Sequence, residues 1–531
     1  MAFEVKSKDY YGYLIIAAVV IVIFFSNLFQ NLLLLDYTPS IYHGFTKVML
    51  MSNYSFNNSI FTFIFSYGFM FTLGILIAML LSYFYIKKLS KYPLLFAFIY
   101  FFNPFIYSRI MVGQLGVILA YLLLPVFIYY ILDKDKTSLY KAIIVAAIIG
   151  SIQAQFFAIT IGLFLLSLFF YKHNRKLKPV VLFLILTIAL SAFWIQGLFQ
   201  NQIFNDITIT HESFFAPKLS QDVPAIAKIM SMYGFWREVG YQTSYRMLPI
   251  VLWYILLALL LILFLIGYFH NSKHTFYFAL WWAGILLAVG ISHPFTQNLF
   301  SFLFNNVPFF NGFRDSHKFV ALVALAYAFL IPEAVIYLQS KMKKFIPIII
   351  AVMTIALLSL PLINLNNQIH ATNYPDSYKS TAAYMDAQVI RGKSIYLPWE
   401  LYLTYNWTTR ASPDGRIPVP INNIVKPIIL TGPDAWGTTT AFQKNITICL
   451  ANQSITCLEN QAVEYILYDH CAHYPAYKIN ATIVHEDSCI TIYHLPAQQV
   501  TTTHPVPVGF IIGMIISILA LVIVIIVITR S

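Results

Sequence analysis

Up to residue 362 the chain alternates between long apolar runs and short polar breaks. The runs approach the ~20 residues a helix needs to cross ~30 Å of hydrocarbon. A spanning segment must satisfy its own backbone hydrogen bonds, so each run predicts a helix. A membrane barrel would instead show alternating strands of about ten residues, which the sequence lacks. The runs place about twelve transmembrane helices at 11–35, 60–86, 92–107, 115–132, 138–153, 155–171, 179–199, 247–269, 275–292, 319–338, 345–362 and 507–529. The stretch 138–171 is read as two short helices meeting at Gln153 and Gln155, which puts the flanking basic clusters on one side. No internal repeat is evident, so an inverted-repeat transporter gains no support.

From 363 to 506 the pattern changes: Pro, Asn, Thr and Asp rise and apolar runs shorten to strand length. Stretches 394–398, 462–469 and 490–495 predict buried strands and 377–388 a helix. The expected organisation is an α-helical polytopic domain over 1–362, with extracytoplasmic loops 36–59, 200–246 and 293–318. A small extracytoplasmic α/β domain over 363–506 follows, with 501–507 as a linker, and then a C-terminal transmembrane helix over 507–531.

Composition agrees, with 59% hydrophobic and only 10% charged residues against roughly 25% charged in soluble domains. The net charge of +12 is a matter of topology and not of nucleic acid. Seventeen of the 33 Lys and Arg fall in the short breaks at 6–8, 87–91, 134–141, 172–178, 273, 341–344 and 530, which the positive-inside rule assigns to the cytoplasm. Both termini are therefore expected inside, in a multi-pass protein of the cell membrane. The first apolar run is too long for a cleaved signal peptide. The sequons Asn53, Asn57, Asn406, Asn445, Asn452 and Asn480 all fall on the predicted exterior, as glycosylation requires. So do Cys449, Cys457, Cys471 and Cys489, which predict two disulfides with three connectivities open. Abundant Ile, Tyr and Asn with exterior sequons suit an archaeal cell envelope.

Charge near the outer face is costly unless partnered or hydrated, so it marks candidate chemistry. Asp36 ends the first span in LLLLDYTPS and is placed to act as a general base on a hydroxyl; the plain alternative is a helix-end carboxylate facing water. In VPFFNGFRDSHK, Arg314 and Lys318 are four apart and would share a face if a helix begins there. A guanidinium fork beside an ammonium suits phosphate, with Asp315 and His317 to orient them or shuttle a proton; headgroup anchoring is the competing reading. Arg109, in the predicted loop after the third span with Gln114, is a candidate second phosphate contact, with plain anchoring at the interface as the competing reading. Loop 200–246 offers His211, Glu212, Trp236, Arg237 and Glu238, with the indole as a stacking face for a sugar and the carboxylates as partners for its hydroxyls. No nucleotide loop, serine-hydrolase elbow or zinc spacing is present.

In order along the chain, NPFIYSRIMVGQLGVILAYLLLP, GFWRE, VPFFNGFRDSHKF and SIYLPWELY resemble blocks of the polytopic GT-C glycosyltransferases, especially the branch similar to membrane arabinofuranosyltransferases. The resemblance implies transfer of a sugar from a polyprenyl-phosphate lipid to a glycan, lipid or glycoprotein acceptor at the outer face. It implies a catalytic carboxylate in the first exterior loop, a position matched by Asp36. The family's Phe-Arg-x-Pro-x-Lys element is matched by Phe313, Arg314 and Lys318, with Ser316 in place of proline. No second acidic residue accompanies Asp36, so no metal ligand set is assigned, although a divalent cation stays open. The WWDYG block of oligosaccharyltransferases is reduced to DAWG at 434–437. The alternatives are a lipid or glycan transporter and a non-catalytic assembly subunit.

Overall fold

The computed structural model describes residues 10–24, 70–171, 177–200, 215–217, 223–236, 249–270, 274–363, 365, 368–370, 372–408, 416–420, 429–432, 441–474, 477–496 and 508–530. Seven helices in it are long and apolar enough to cross a bilayer: Phe71–Leu89, Leu115–Leu132, Ile250–His270, Thr275–Ser292, Ser316–Lys341, Phe345–Ile363 and Val508–Arg530. The pair Pro93–Phe101 and Pro104–Val112, bent by 43°, makes an eighth if it is one span. Four shorter apolar helices, Tyr10–Ile23, Ser138–Ile152, Ala154–Phe170 and Leu177–Leu190, fill the remaining predicted stretches. The expected count of about twelve spans is therefore not reached by length among the described residues; seven or eight are.

Two departures from the hydropathy reading have local causes. The third span ends early at Phe102, because proline cannot continue a helix and holds the preceding residue extended. Asn103 sits at φ −139°, ψ 167°, and Pro104 opens a new helix. Arg109 thus lies in a helix and not in the predicted loop. The seventh span is interrupted at Ser191, dividing Leu177–Leu190 from Ala192–Gln200. The predicted break at 153–155 is present: Gln153, at φ −151° and ψ 107°, separates Ser138–Ile152 from Ala154–Phe170.

Helix Val320–Lys341 is the centre of the helical region, buried without interruption from Val320 to Pro332. Glycines on two neighbours let backbones close on it. A methyl at Gly267 would come within 2.0 Å of the Leu330 carbonyl oxygen, and one at Gly284 within 2.9 Å of Val323. Lipid offers no apolar advantage over a helix, so such small-residue contacts carry helix association.

Beyond Ile363 the apolar runs become a five-stranded sheet in the order β4-β1-β5-β7-β6, with β1 at Lys393–Leu397, β4 at Ile429–Leu430, β5 at Val463–Asp469, β6 at Thr482–Glu486 and β7 at Ile490–His494. Strands β4, β1 and β5 run parallel and β7 and β6 antiparallel. Helix Asp376–Ala387 packs against it, and β2 (Tyr402–Thr404) pairs with β3 (Arg416–Pro418). The open cysteine connectivity resolves as Cys449–Cys457 and Cys471–Cys489. The sequon residues Asn406, Asn445, Asn452 and Asn480 are all exposed, while Asn53 and Asn57 lie outside the described residues.

Candidate functional site

The site grows from two short capped segments. Helix Pro104–Val112 starts on Asn103, whose side-chain oxygen accepts from the Ile106 amide at 3.1 Å. It ends on Gly113 at φ 78°, the left-handed position that glycine fills at little cost. All nine residues between are buried, Arg109 among them. The second segment comprises the 3₁₀ turns Phe310–Phe313 and Ser316–Phe319, joined by Arg314 and Asp315. Arg314 and Lys318 thus do not share one face of a regular helix as expected, since the α-helix begins only at Val320. The first turn is preceded by Phe309 at φ 63°, a conformation costing a bulky residue about 1–2 kcal/mol. Two tethers hold the segment: Ser316 Oγ donates to the Ala288 carbonyl at 3.0 Å, and Gln155 Nε2 donates to the Gly312 carbonyl at 3.2 Å.

Between the segments lies a buried ion network. Arg109 Nη1 is 2.6 Å from Asp315 Oδ2 and donates to Gln114 Oε1 at 2.5 Å. Its Nη2 is 3.0 Å from His317 Nδ1. Guanidinium only donates, so Nδ1 accepts and Nε2 carries the proton, which it gives to the Tyr233 carbonyl at 3.3 Å. Phe105 and Phe235 lie 5.2 and 4.6 Å from the Arg109 guanidinium carbon. Lys318 Nζ reaches Asp315 Oδ2 at 3.7 Å. Arg314 stands apart: it is half-buried, makes no ion pair among the described residues, and rests 5.0 Å from the Phe215 ring. Trp236 packs edge-on to the same Phe215 at 4.9 Å. Among the described residues, Arg109, Arg314 and Lys318 face the one Asp315 carboxylate.

The structure therefore brings Arg109, Gln114, Trp236, Arg314, Asp315, His317 and Lys318 together from three distant stretches. Asp36, His211, Glu212, Arg237 and Glu238 lie outside the described residues. Sequence reasoning passed over Phe105, Phe215 and Phe235 and read Gln155 only as a helix junction, because one apolar or amide residue in a membrane protein carries no site signal until its neighbours are known. Among the described residues no group of three or more His, Cys, Asp or Glu could hold a metal ion.

Tyr402 of β2 packs with Trp236 against buried Val112 and Phe235, so the sheet region touches the site directly. That region holds its own buried carboxylate. Asp469, the last residue of β5, accepts from the Tyr378 hydroxyl at 2.5 Å, from the Tyr396 hydroxyl and from the Cys471 amide at 2.8 Å. Burial pushes its carboxyl up to about 6 despite these bonds.

No family model matches the chain, and no curated protein matches it. Among solved structures it is similar to arabinofuranosyltransferase AftD from mycobacteria, with a TM-score of 0.61 and 11% identity over 92% of this chain. A structure of a mutant form of the same enzyme gives 0.60 and 11% over 92%. This chain spans only 40% and 42% of the length of those proteins. What is shared at such identity is the fold.

Proposed function

We propose that the chain is a GT-C-type membrane glycosyltransferase that moves a sugar from a polyprenyl-phosphate donor to a glycan, lipid or protein acceptor at the outer face of the membrane. The observation that carries this is the partly open cluster of cationic side chains around Arg314, on a fold shared with an arabinofuranosyltransferase over 92% of the chain.

Arg314 is the donor-phosphate contact in this reading. Its guanidinium carbon lies 5.0 Å from the Phe215 ring, and in this reading its N–H groups take the phosphate as a bidentate fork. Lys318 adds a second positive charge where the leaving polyprenyl phosphate gains negative charge. Arg109, wholly buried and closed onto Asp315, Gln114 and His317, is a positioning residue and not a phosphate ligand. His317, with both ring nitrogens bonded, positions Arg109 and shuttles no proton. Asp36 deprotonates or orients the acceptor hydroxyl for attack on the anomeric carbon, and the phosphate leaves from the opposite side. Trp236 lies where a sugar would meet an aromatic face.

The test is transfer from synthetic polyprenyl-phosphate sugars, furanose donors first, by the full chain in lipid nanodiscs. Asp36→Asn should abolish turnover in folded protein. Arg314→Ala should raise the donor KM by about tenfold or more, and Arg314→Lys should recover only part, because an ammonium cannot form the fork. Undiminished transfer by Asp36→Asn removes that residue from the mechanism. An unchanged donor KM in Arg314→Ala removes the phosphate assignment.

A further inference from the structure

Beside the ion network lies the break between helices Ser138–Ile152 and Ala154–Phe170, with Gln153 extended between them. The two helices pack on each other across it, and a Cβ at Gly150 would come within 2.5 Å of the Phe157 ring. Basic residues flank their far ends, Lys134 and Lys136 before and Lys172, Arg175, Lys176 and Lys178 after. Fifteen and seventeen residues make about 22 and 26 Å of helix, less than the ~30 Å of hydrocarbon. A pair of this length that enters from one face turns before it reaches the other. Irregular backbone at such depth is kept where it is buried in protein or lines a hydrated hollow, and polar side chains there mark substrate paths.

We propose that Gln155 is a further ligand of the donor phosphate, giving an amide N–H to a phosphate oxygen beside Arg314; this rests on the transferase reading and extends its donor site. Three observations carry it. First, the break touches both segments of the site. A Cβ at Gly116, two residues after Gln114, would come within 3.0 Å of Gln153 Oε1, and Gln155 Nε2 donates to the Gly312 carbonyl at 3.2 Å, two residues before Arg314. Second, the orientation of the carboxamide is fixed. A backbone carbonyl only accepts, so the Gln155 nitrogen, and not its oxygen, faces Gly312. The Gln155 oxygen is left to accept from Gln153 Nε2, as it does. Third, one donor is unspent. A carboxamide nitrogen carries two hydrogens; one goes to Gly312, and among the described residues no acceptor meets the other. Gln155, Gly312 and Arg314 are all half-buried, so each borders open space. With its oxygen taken, the side chain has only a proton to offer. That suits a phosphate oxygen, which only accepts, better than a hydroxyl, whose own proton would stay unplaced. A neutral donor also adds a bond without setting another charge at membrane depth.

The experiment is saturation-transfer titration of the full chain in nanodiscs with geranyl phosphate and with geraniol, which differ only in the phosphate. The parent should prefer the phosphate. Gln155→Leu, close in volume and without a donor, should weaken geranyl phosphate by about tenfold, the loss of one hydrogen bond to a charged oxygen, and leave geraniol unchanged. Gln155→Glu keeps the shape but sets oxygen against oxygen, so it should lose at least as much, and it carries the test if the leucine variant does not fold. A glutamine that only holds the turn in place would act through Arg314. Both substitutions are therefore repeated in Arg314→Ala, where a ligand still costs about tenfold and a positioning residue costs nothing. The proposal is overturned if the Gln155 variants bind geranyl phosphate as the parent does, if their effect vanishes in the Arg314→Ala background, or if geraniol is weakened equally. A parent without phosphate preference overturns it together with the Arg314 assignment. A preference lost in Arg314→Ala but kept in the Gln155 variants overturns it alone.

Discussion

Asp315 is fixed by two cations, one three residues later and one 206 residues earlier in the chain. A buried pair of this kind adds little net stability, but removing one partner leaves the other charged in an apolar setting, at about 3–5 kcal/mol. Asp315→Asn should therefore destabilise the protein by that order in denaturant unfolding in detergent, because Arg109 has no exposure through which to hydrate. Adding Arg109→Met should recover part of the loss, since it removes the stranded charge. A loss below about 1 kcal/mol in the single variant would mean the pair is open to water. The sequence singled out Arg314, Asp315, His317 and Lys318 as candidates, because four polar residues interrupt an apolar context. It did not show their division of labour. That depends on Arg109, whose place in the network comes from packing across 206 positions, a separation no local pattern encodes.

The strands of the sheet region were legible almost to the residue: 394–398, 462–469 and 490–495 are observed as Lys393–Leu397, Val463–Asp469 and Ile490–His494. Their apolar runs are bounded by breakers, and the strands are too buried to tolerate other registers. Helix ends governed by caps were less legible. The Asn103-Pro104 start lay inside the run read as 92–107 and was overridden by hydropathy, and the helix it opens carries on to Gly113 through what was read as a loop. The pair β1 and β5 ends on a group that no pattern flagged, the Asp469 carboxyl held at about 6 by burial. An unfolded aspartate loses its proton near pH 4, whereas the folded one keeps it until about 6. Its contribution is thus fully present below pH 4 and lost as pH rises through 6, in total about 3 kcal/mol. Hydrogen exchange of β5 and β7 amides in the full chain should show protection falling over that window. In Asp469→Asn, which cannot ionise and keeps an acceptor for the tyrosines, that slope should vanish. An equal slope in the variant would assign the pH response to another group.

At the scale of the whole molecule, the proposal depends on which side of the membrane the charged cluster and the sheet share. Arg314 precedes a helix that runs to Lys341, and Phe345–Ile363 then leads back toward the sheet. At 1.5 Å per residue the second helix is about 28 Å long, close to the thickness of a bilayer. Two crossings return the chain to its starting side, in agreement with Tyr402 packing against Val112 and Phe235 beside the cluster. The basic tract 341–344 marks the opposite side, which the positive-inside rule makes cytoplasmic. The two disulfides consume all four cysteines, so an introduced cysteine is the one free thiol for a membrane-impermeant maleimide. In intact cells Lys379→Cys, exposed on the helix beside the sheet, should label at once, and Lys344→Cys only after permeabilisation. The reverse pattern would put Arg314 and the sheet on the inner face, where a donor presented outside could not reach them, and the outer-face reaction would fall whatever the geometry of the cluster.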